Sequence, residues 1–211
     1  MPILKNGEGQ APAWCEMEYY ELVTLEPDTK RDFSRRSPSE KIIVVDGHCE
    51  ISFGGAVLTG EYGTNVDLKS SDDFFSVATR DVSTTIVWMC GDWESETSSG
   101  IFTDSQGDPR DTKGDPVDYP KNTSFDRHYH DCDEYWVIIE GSGVVVSEGK
   151  HYEVEPGDCL ATGMGFHHDI AISNEPEFKG VWFETGLEGR KRKGHLWEHT
   201  HGPAVPQLDR V

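Results

Sequence analysis

The chain has 211 residues and a formal net charge of −20, from 39 acidic and 19 basic side chains. This length suffices for a core that needs no disulfide bonds, and the acidity argues against nucleic acid, whose phosphates require clustered Lys and Arg. No apolar segment approaches the roughly 18 residues of a membrane span, so neither nucleic acid nor a membrane is an expected partner.

The cysteines and the N-terminus bear on the cellular location. The five cysteines are odd in number and show no CxxC pairing, which favours free thiols over a disulfide framework or a zinc ribbon. The opening segment MPILKNGEGQ lacks the basic region and apolar stretch of a secretory signal. We therefore expect a soluble protein of the reducing cytoplasm.

Short apolar segments rich in Val, Ile, Phe and Trp run through the chain, separated by Gly, Asp and Pro. In chain order they read KIIVV, EISF, AVL, FFSVA, TTIVWMC, YWVII, GVVV, CLAT, DIAI and GVWFET. Short strands at this spacing are typical of an antiparallel sandwich or barrel, and no long segment has a helical period. The sequence therefore predicts an all-β protein.

Composition divides the chain into segments. A stretch rich in Gly, Asp, Ser and Pro separates two strand-rich halves, which favours a loop or linker between them. The expected segments are an N-terminal arm at 1–32, a first half at 33–93, the linker at 94–122, a second half at 123–190 and a C-terminal tail at 191–211. The basic run GRKRKGH, at 189–195, is expected to be a solvated turn.

The two halves resemble one unit written twice. Laying 33–93 over 127–187 without a gap aligns seven identical residues, including turn glycines that recur at intervals of eight. Eight residues is the length of a strand plus a turn, where a residue that tolerates positive φ is required. A duplication explains this repeat. The alternative is one barrel with extra N-terminal strands, in which a shared all-β texture produces the coincidence.

A segment bearing histidine and glutamate opens the second half. Residues 125–141 read FDRHYHDCDEYWVIIEG. Because a strand sends alternate side chains to one face, His128 and His130 are neighbours there, and Glu134 rejoins them after a short loop. Three such groups can be ligands of one metal ion, whereas burying them without a cation is expensive.

Two motifs here resemble those of the cupin superfamily. HYHDCDEYWVIIEG fits the first cupin motif, HxHxxxE followed by six residues and Gly, and PGDCLATGMGFHH fits the second. The resemblance implies an all-β cupin jelly-roll barrel, duplicated as a bicupin, in which His128, His130, Glu134 and His168 bind one divalent metal. One departure is Gly163, which stands where the family commonly has proline.

Imidazole nitrogen and carboxylate oxygen suit Fe, Mn, Ni, Co or Zn, and four protein ligands on a six-coordinate ion leave two positions for substrate or water. We expect a metalloenzyme that acts on a small oxygen-rich substrate (a sugar, sugar acid or related hydroxy-carbonyl) as an isomerase, epimerase or lyase. Two alternatives stay open. One is an Fe(II)-dependent dioxygenase, and the other is a non-catalytic, metal-assisted sugar or metabolite binding protein.

The first half lacks the metal ligands. Its equivalent positions are Ser34, Arg36, Glu40 and Phe74, and the first, second and fourth cannot replace imidazoles. We therefore expect a degenerate cupin-like half without metal, whose work is structural, such as covering barrel edges. A homodimer is the expected assembly.

Four further residues are candidates for catalysis or substrate contact. Glu184 is either a base or an orienting carboxylate, or else an exposed acid at a strand end. His167 is a candidate proton donor near the metal, although strand alternation turns it away from His168. Trp136 and Ile138 share the parity of Glu134 and should face the interior, as core residues or as a platform for substrate.

Overall fold

The structure, a computed structural model, describes residues 3–9, 11–68, 73–94, 97–189 and 192–211. The chain forms two compact units. The N-terminal unit contains Asn6–Ala11 and Glu16–Trp93, and the C-terminal unit contains Met1–Lys5, Pro12–Cys15 and Glu94–Val211. Within the described ranges, no helix has the length and apolar character needed to cross a bilayer.

The first strand of the chain, β1 (Ile3–Lys5), belongs to the C-terminal unit, and the next eight build the N-terminal unit. These are β2 (Met17–Leu25), β3 (Lys30–Ser34), β4 (Ser39–Asp46), β5 (His48–Phe53), β6 (Ala56–Glu61), β7 (Asn65–Leu68), β8 (Phe74–Ala78) and β9 (Thr84–Gly91). They form two antiparallel sheets, ordered β2-β9-β4-β7 and β3-β8-β5-β6. Phe33 and Phe75 stack at 4.6 Å in the core, with Trp88 edge-on to both rings.

The remaining strands build the C-terminal unit. They are β10 (Ser98–Ser105), β11 (Glu134–Glu140), β12 (Gly143–Ser147), β13 (Lys150–Val154), β14 (Asp158–Thr162), β15 (His168–Ser173) and β16 (Glu177–Glu184). A 3-10 helix at Pro109–Asp111 and the helix α1 (Glu198–His201) complete the described elements. The sheets are ordered β1-β14-β11-β16-β10 and β13-β12-β15.

The strand order repeats between the units, which confirms the predicted duplication. Glu40 pairs across the sheet with Cys90 and Leu68. Glu134 pairs with Glu184 and Thr162, which lie at the same separations along the chain. Ser34 pairs with Phe74, as His128 pairs with His168. The fold is therefore a duplicated, all-β jelly roll, and the alternative of one barrel with added strands is wrong.

Three of the expected segments, the arm, the linker and the tail, differ from the structure. The expected arm at 1–32 holds β2 and begins β3, and the expected linker at 94–122 holds β10. The β10 sequence SSGIFTDS has few large apolar side chains because it is an edge strand with mostly half-exposed residues. In the expected tail, Leu196 exchanges backbone hydrogen bonds with Tyr129, so this segment packs on the barrel.

Candidate metal centre

The four histidine and glutamate side chains that the sequence singles out meet in the C-terminal unit. His128 and His168 exchange backbone hydrogen bonds of 3.2 and 2.9 Å, which fixes the register of the two motifs. His130 follows two residues later, just beyond the isolated bridges at His128 and Tyr129, and Glu134 is the first residue of β11. One potential ligand atom from each residue lies within 4.8 Å of the other three, and all four residues are buried.

The converging atoms are unsatisfied. Nε2 of His128, His130 and His168 and Oε2 of Glu134 have no hydrogen-bond partner within the described part of the chain. Oε2 lies 2.7 Å from His168 Nε2 and 3.3 Å from His130 Nε2, but without the alignment of a hydrogen bond. Buried polar atoms are almost always paired. Four converging atoms without hydrogen bonds are therefore expected to share one partner placed between them.

The opposite ring nitrogens decide which atom carries the lone pair. His128 Nδ1 lies 2.6 Å from the Asp126 carbonyl oxygen, and His168 Nδ1 lies 3.3 Å from that of Phe166. A carbonyl only accepts, so each Nδ1 donates and each Nε2 presents a lone pair. Lone pairs facing a carboxylate oxygen repel one another unless a cation lies between them. This donor set fits a divalent transition metal.

The electrostatics of the cluster give Glu134 and His128 the protonation states that ligands need, while they shift His130 toward its protonated form. Burial alone would raise the pKa of Glu134, but His130 and His168 hold it well below its usual range. Burial and the neighbouring His168 and His130 lower the pKa of His128, which is therefore neutral. Burial would lower the pKa of His130, yet Glu134 raises it. An ionised carboxylate among imidazoles is a site that attracts a cation.

The equivalent place in the N-terminal unit is fully hydrogen-bonded. Glu40 is buried, and its Oε2 accepts a 3.1 Å bond from the Trp88 indole. Its Oε1 accepts from the backbone N–H groups of Arg36 and Ser37, at 2.5 and 3.2 Å. Among the described residues of this unit, no group of His, Cys, Asp and Glu is close enough to hold a metal. The buried glutamate here needs no cation.

A cavity of about 640 Å³ opens beside the four-ligand cluster. Its apolar lining consists of Phe102, Phe125, Trp136, Trp182 and Leu187. Its neutral hydroxyl groups come from Thr97, Ser98 and Thr185, and its charged groups from Glu134, Glu184, Arg192 and Lys193. Trp136 thus lies where the sequence predicted, against the ring of His168 at 5.0 Å. Ile138 also faces the interior, but as a core residue of the apolar cluster with Val145 and Phe178 and not in the described lining of the cavity.

Glu184 lies in the cavity as the cross-strand neighbour of Glu134. Its Oε1 is 3.4 Å from Nδ1 of His130, the ring nitrogen opposite the converging one. Burial raises the pKa of Glu184, His130 counteracts this, and the charge of Glu134 adds to the rise. The side chain is 17% exposed, so the expectation of an exposed acid at a strand end is wrong.

His167 points away from the cluster. Its Nε2 lies 3.0 Å from the buried carboxylate of Asp115, and its ring packs edge-on against Tyr129. Burial and the charge of Arg127 lower the pKa of His167. The described lining of the 640 Å³ cavity does not include it. Its position therefore does not support the role of proton donor beside the metal.

Sequence reasoning missed a histidine at the cavity mouth. The His195 ring stacks on His128 with centroids 3.7 Å apart, and its Nδ1 lies 2.8 Å from an Asp126 carboxylate oxygen. The sequence signal that could have indicated this histidine is the basic run at 189–195, which we expected to be a solvated turn. Arg192 in that run is anchored to Asp131 at 2.9 Å. The described part of the run, from 192 onward, therefore borders the cavity.

The departure from proline at Gly163 has a steric cause. A Cβ at this position would lie 2.4 Å from the backbone oxygen of Arg210, so only glycine lets the C-terminal segment cross here. Arg210 in turn places its Nη1 2.7 Å from the fully buried carboxylate of Asp133. The C-terminal segment therefore braces the turn that precedes His168.

Comparison with known proteins places this geometry in a family. The family model described as "Cupin domain" matches residues 117–184. The uncharacterized protein y4oW of Sinorhizobium fredii (strain NBRC 101917 / NGR234) is 43% identical over 213 residues, covering 100% of this chain and 97% of that protein. The chain belongs to the cupin superfamily.

Two solved structures show the same fold as this cupin. AerE from Microcystis aeruginosa has a TM-score of 0.59 and 11% identity, with 80% of this chain and 87% of that chain covered. Oxalate decarboxylase from Bacillus subtilis, a protein with Mn(II) centers, has a TM-score of 0.56 and 9% identity, with 81% and 69% covered. At such identities the likeness concerns the fold alone.

Proposed function

We propose that this cupin is a metal-dependent isomerase, epimerase or lyase acting on a small hydroxy-carbonyl or carboxylic acid substrate. One observation carries the proposal. Four buried, unsatisfied ligand atoms converge beside a cavity that also presents the carboxylate of Glu184. The second carboxylate favours an enzyme over a binding protein because it can serve as a base close to the metal ligands.

His128, His130, Glu134 and His168 would hold one divalent ion, of Fe, Mn, Ni, Co or Zn. When bound, the ion supplies Lewis-acid stabilisation of negative charge on a substrate oxygen. The hydrogen bonds from Nδ1 of His128 and His168 to backbone carbonyls keep their Nε2 atoms aimed at one point. The protein therefore arranges its ligands before the ion arrives.

Glu184 is the proposed proton carrier. Its carboxylate oxygen would take a proton from the substrate carbon or hydroxyl next to the carbonyl and return it at a neighbouring atom, which is isomerisation. If a leaving group departs after the proton is taken, the same residue serves a lyase. The 3.4 Å approach of Glu184 to His130 Nδ1 also orients that imidazole. The apolar cavity wall excludes water from the reacting atoms.

The test is turnover of wild-type protein loaded with each metal, in parallel screens for isomerisation, elimination and oxygen uptake. Glu184→Gln should abolish turnover while metal content stays normal. Glu153→Gln, a matched change at an exposed position of β13, should leave both unchanged. Stoichiometric oxygen consumption would replace the proposal with the dioxygenase alternative. Tight metabolite binding without turnover would replace it with the binding protein.

A further inference from the structure

The wall of the cavity nearest the four-ligand cluster is aromatic. Trp136 lies 5.5 Å from Phe102 and 5.3 Å from Phe125, measured between ring centroids. Phe125 in turn is 5.6 Å from the His128 ring. The aromatic surface therefore begins at the ligand histidines, so a substrate held by its oxygens at the cluster must lay the rest of its body against these rings.

The sheet keeps two rings of the cavity lining, those of Phe102 and Trp182, in place. Phe102 on β10 faces Gly180 across the strand pair, and Trp182 on β16 faces Gly100. A Cβ at Gly180 would lie 2.5 Å from the Phe102 ring, and one at Gly100 would lie 2.9 Å from the Trp182 indole nitrogen. Each ring thus lies over the space left by a missing side chain, which keeps the two aromatic side chains in place.

The cavity offers few partners for a polyhydroxylated body. Among the described lining residues, hydroxyl side chains are limited to Thr97, Ser98 and Thr185 and no Asn or Gln lines it; the other neutral groups that can hydrogen-bond, beyond the ligand histidines and Cys132, are the indole N–H groups of Trp136 and Trp182 and the His195 imidazole. Sites that read hydroxyl groups place a partner at each one, because an unpaired buried hydroxyl costs about 1–3 kcal/mol. A sugar acid would leave several hydroxyls facing aromatic carbon.

The charge at the mouth favours an acid. Lys193 lines the cavity, whereas the guanidinium of Arg192 is committed to Asp131 and to the carbonyl oxygen of His201. On a chain of net charge −20, a lysine at this opening offsets one of the two carboxylates, Glu134 and Glu184, that line the cavity. An anionic substrate would gain from it.

We infer that the substrate is a carboxylic acid with vicinal oxygens on an apolar body, such as an aromatic 2-hydroxy acid, rather than a sugar acid. This inference rests on the proposed function, since it assumes that the oxygens are held at the metal cluster. A volume of about 640 Å³ lies within the range of small-molecule pockets and accommodates one aromatic ring plus a chelating end.

The test compares ligands that share one chelating end. Calorimetric titration of metal-loaded protein with 3-phenyllactate, glycerate and gluconate varies the body while keeping the 2-hydroxycarboxylate. Phenyllactate should bind about tenfold tighter or more than either polyhydroxy acid, since only its ring can bury apolar area against the wall. Equal or tighter binding of gluconate or glycerate would overturn the inference.

Two variants connect the preference to the wall. Phe102→Ser should reduce the preference for phenyllactate, while Phe74→Ser, a matched change at an exposed site of the N-terminal unit, should leave it unchanged. If Phe102→Ser misfolds, Trp182→Gln serves the same purpose. A preference that survives both wall variants contradicts the inference. Metal content measured on the same samples separates the outcomes: protein that binds no metal refutes the proposed function, and metal-bound protein that prefers gluconate refutes only the substrate class.

Discussion

The substitution Glu134→Gln should have opposite effects on the metal-loaded and the metal-free protein. With metal at about 100 times Kd, binding stabilises the folded state by about 2.7 kcal/mol, which is about 5–10 °C in Tm for a chain of this length. Removing the only anionic ligand should abolish most of this shift. In the metal-free protein, His168 Nε2 lies 2.7 Å from Glu134 Oε2. An amide N–H in the place of this oxygen can donate a hydrogen bond to Nε2, which should raise the free energy of unfolding by about 1 kcal/mol.

Glu40→Gln in the N-terminal unit is the matched control. It should destabilise the protein and leave the metal-induced shift in Tm unchanged. Both Glu40 oxygens accept hydrogen bonds, so an amide N–H would face another donor and cost about 1–3 kcal/mol with or without metal. The assay is thermal unfolding of both variants with added metal and with chelator. Burial would lower the pKa of His130, but Glu134 raises it. The assay is therefore run at mildly alkaline pH, where this imidazole is neutral. A normal metal shift in Glu134→Gln, or a lost one in Glu40→Gln, would refute the reasoning.

Two further predictions follow from single contacts, and a third concerns the assembly. His168→Ala should lose most of the bound metal, whereas His167→Ala should keep it, since His167 faces Asp115; elemental analysis that shows the reverse would mean that the register of the second motif is wrong. Arg210→Met should lower the free energy of unfolding by about 3–5 kcal/mol, because it leaves the buried Asp133 carboxylate without its cation. Arg110→Met, at an exposed ion pair, is the control and should unfold like wild type; equal stability of both variants would contradict the bracing role of the C-terminal segment. We also expect a homodimer, so light scattering should give twice the chain mass of 23.6 kDa, and a monomer at micromolar concentration would contradict this.

The predicted metal cluster depended on local rules that operate within a few residues. Strand alternation predicts that His128 and His130 share one face, and the family motif selects His168 over His167. The duplication was readable for a similar reason, since turn glycines at a fixed interval report strand lengths directly. The register that pairs Ser34 with Phe74 and His128 with His168 follows from that interval.

The cavity could not be predicted because its walls depend on contacts between distant parts of the chain. Phe102 reaches the site through β10, a strand whose polar, half-exposed sequence looks like a linker. His195 stacks on His128 only because Leu196 pairs with Tyr129. No local pattern announces an edge strand or a returning tail of this kind, since both are fixed by tertiary pairing rather than by hydrophobic period.

Metal stoichiometry of tag-free protein, measured by elemental analysis after loading and desalting, tests whether the converging atoms are a metal site. Our account predicts one equivalent of a divalent transition metal per chain, held by the C-terminal unit and lost in His168→Ala. Two equivalents per chain would mean that the N-terminal unit also binds metal, despite the hydrogen-bonded Glu40. No retained metal after loading with Fe, Mn, Ni, Co or Zn would contradict the site itself.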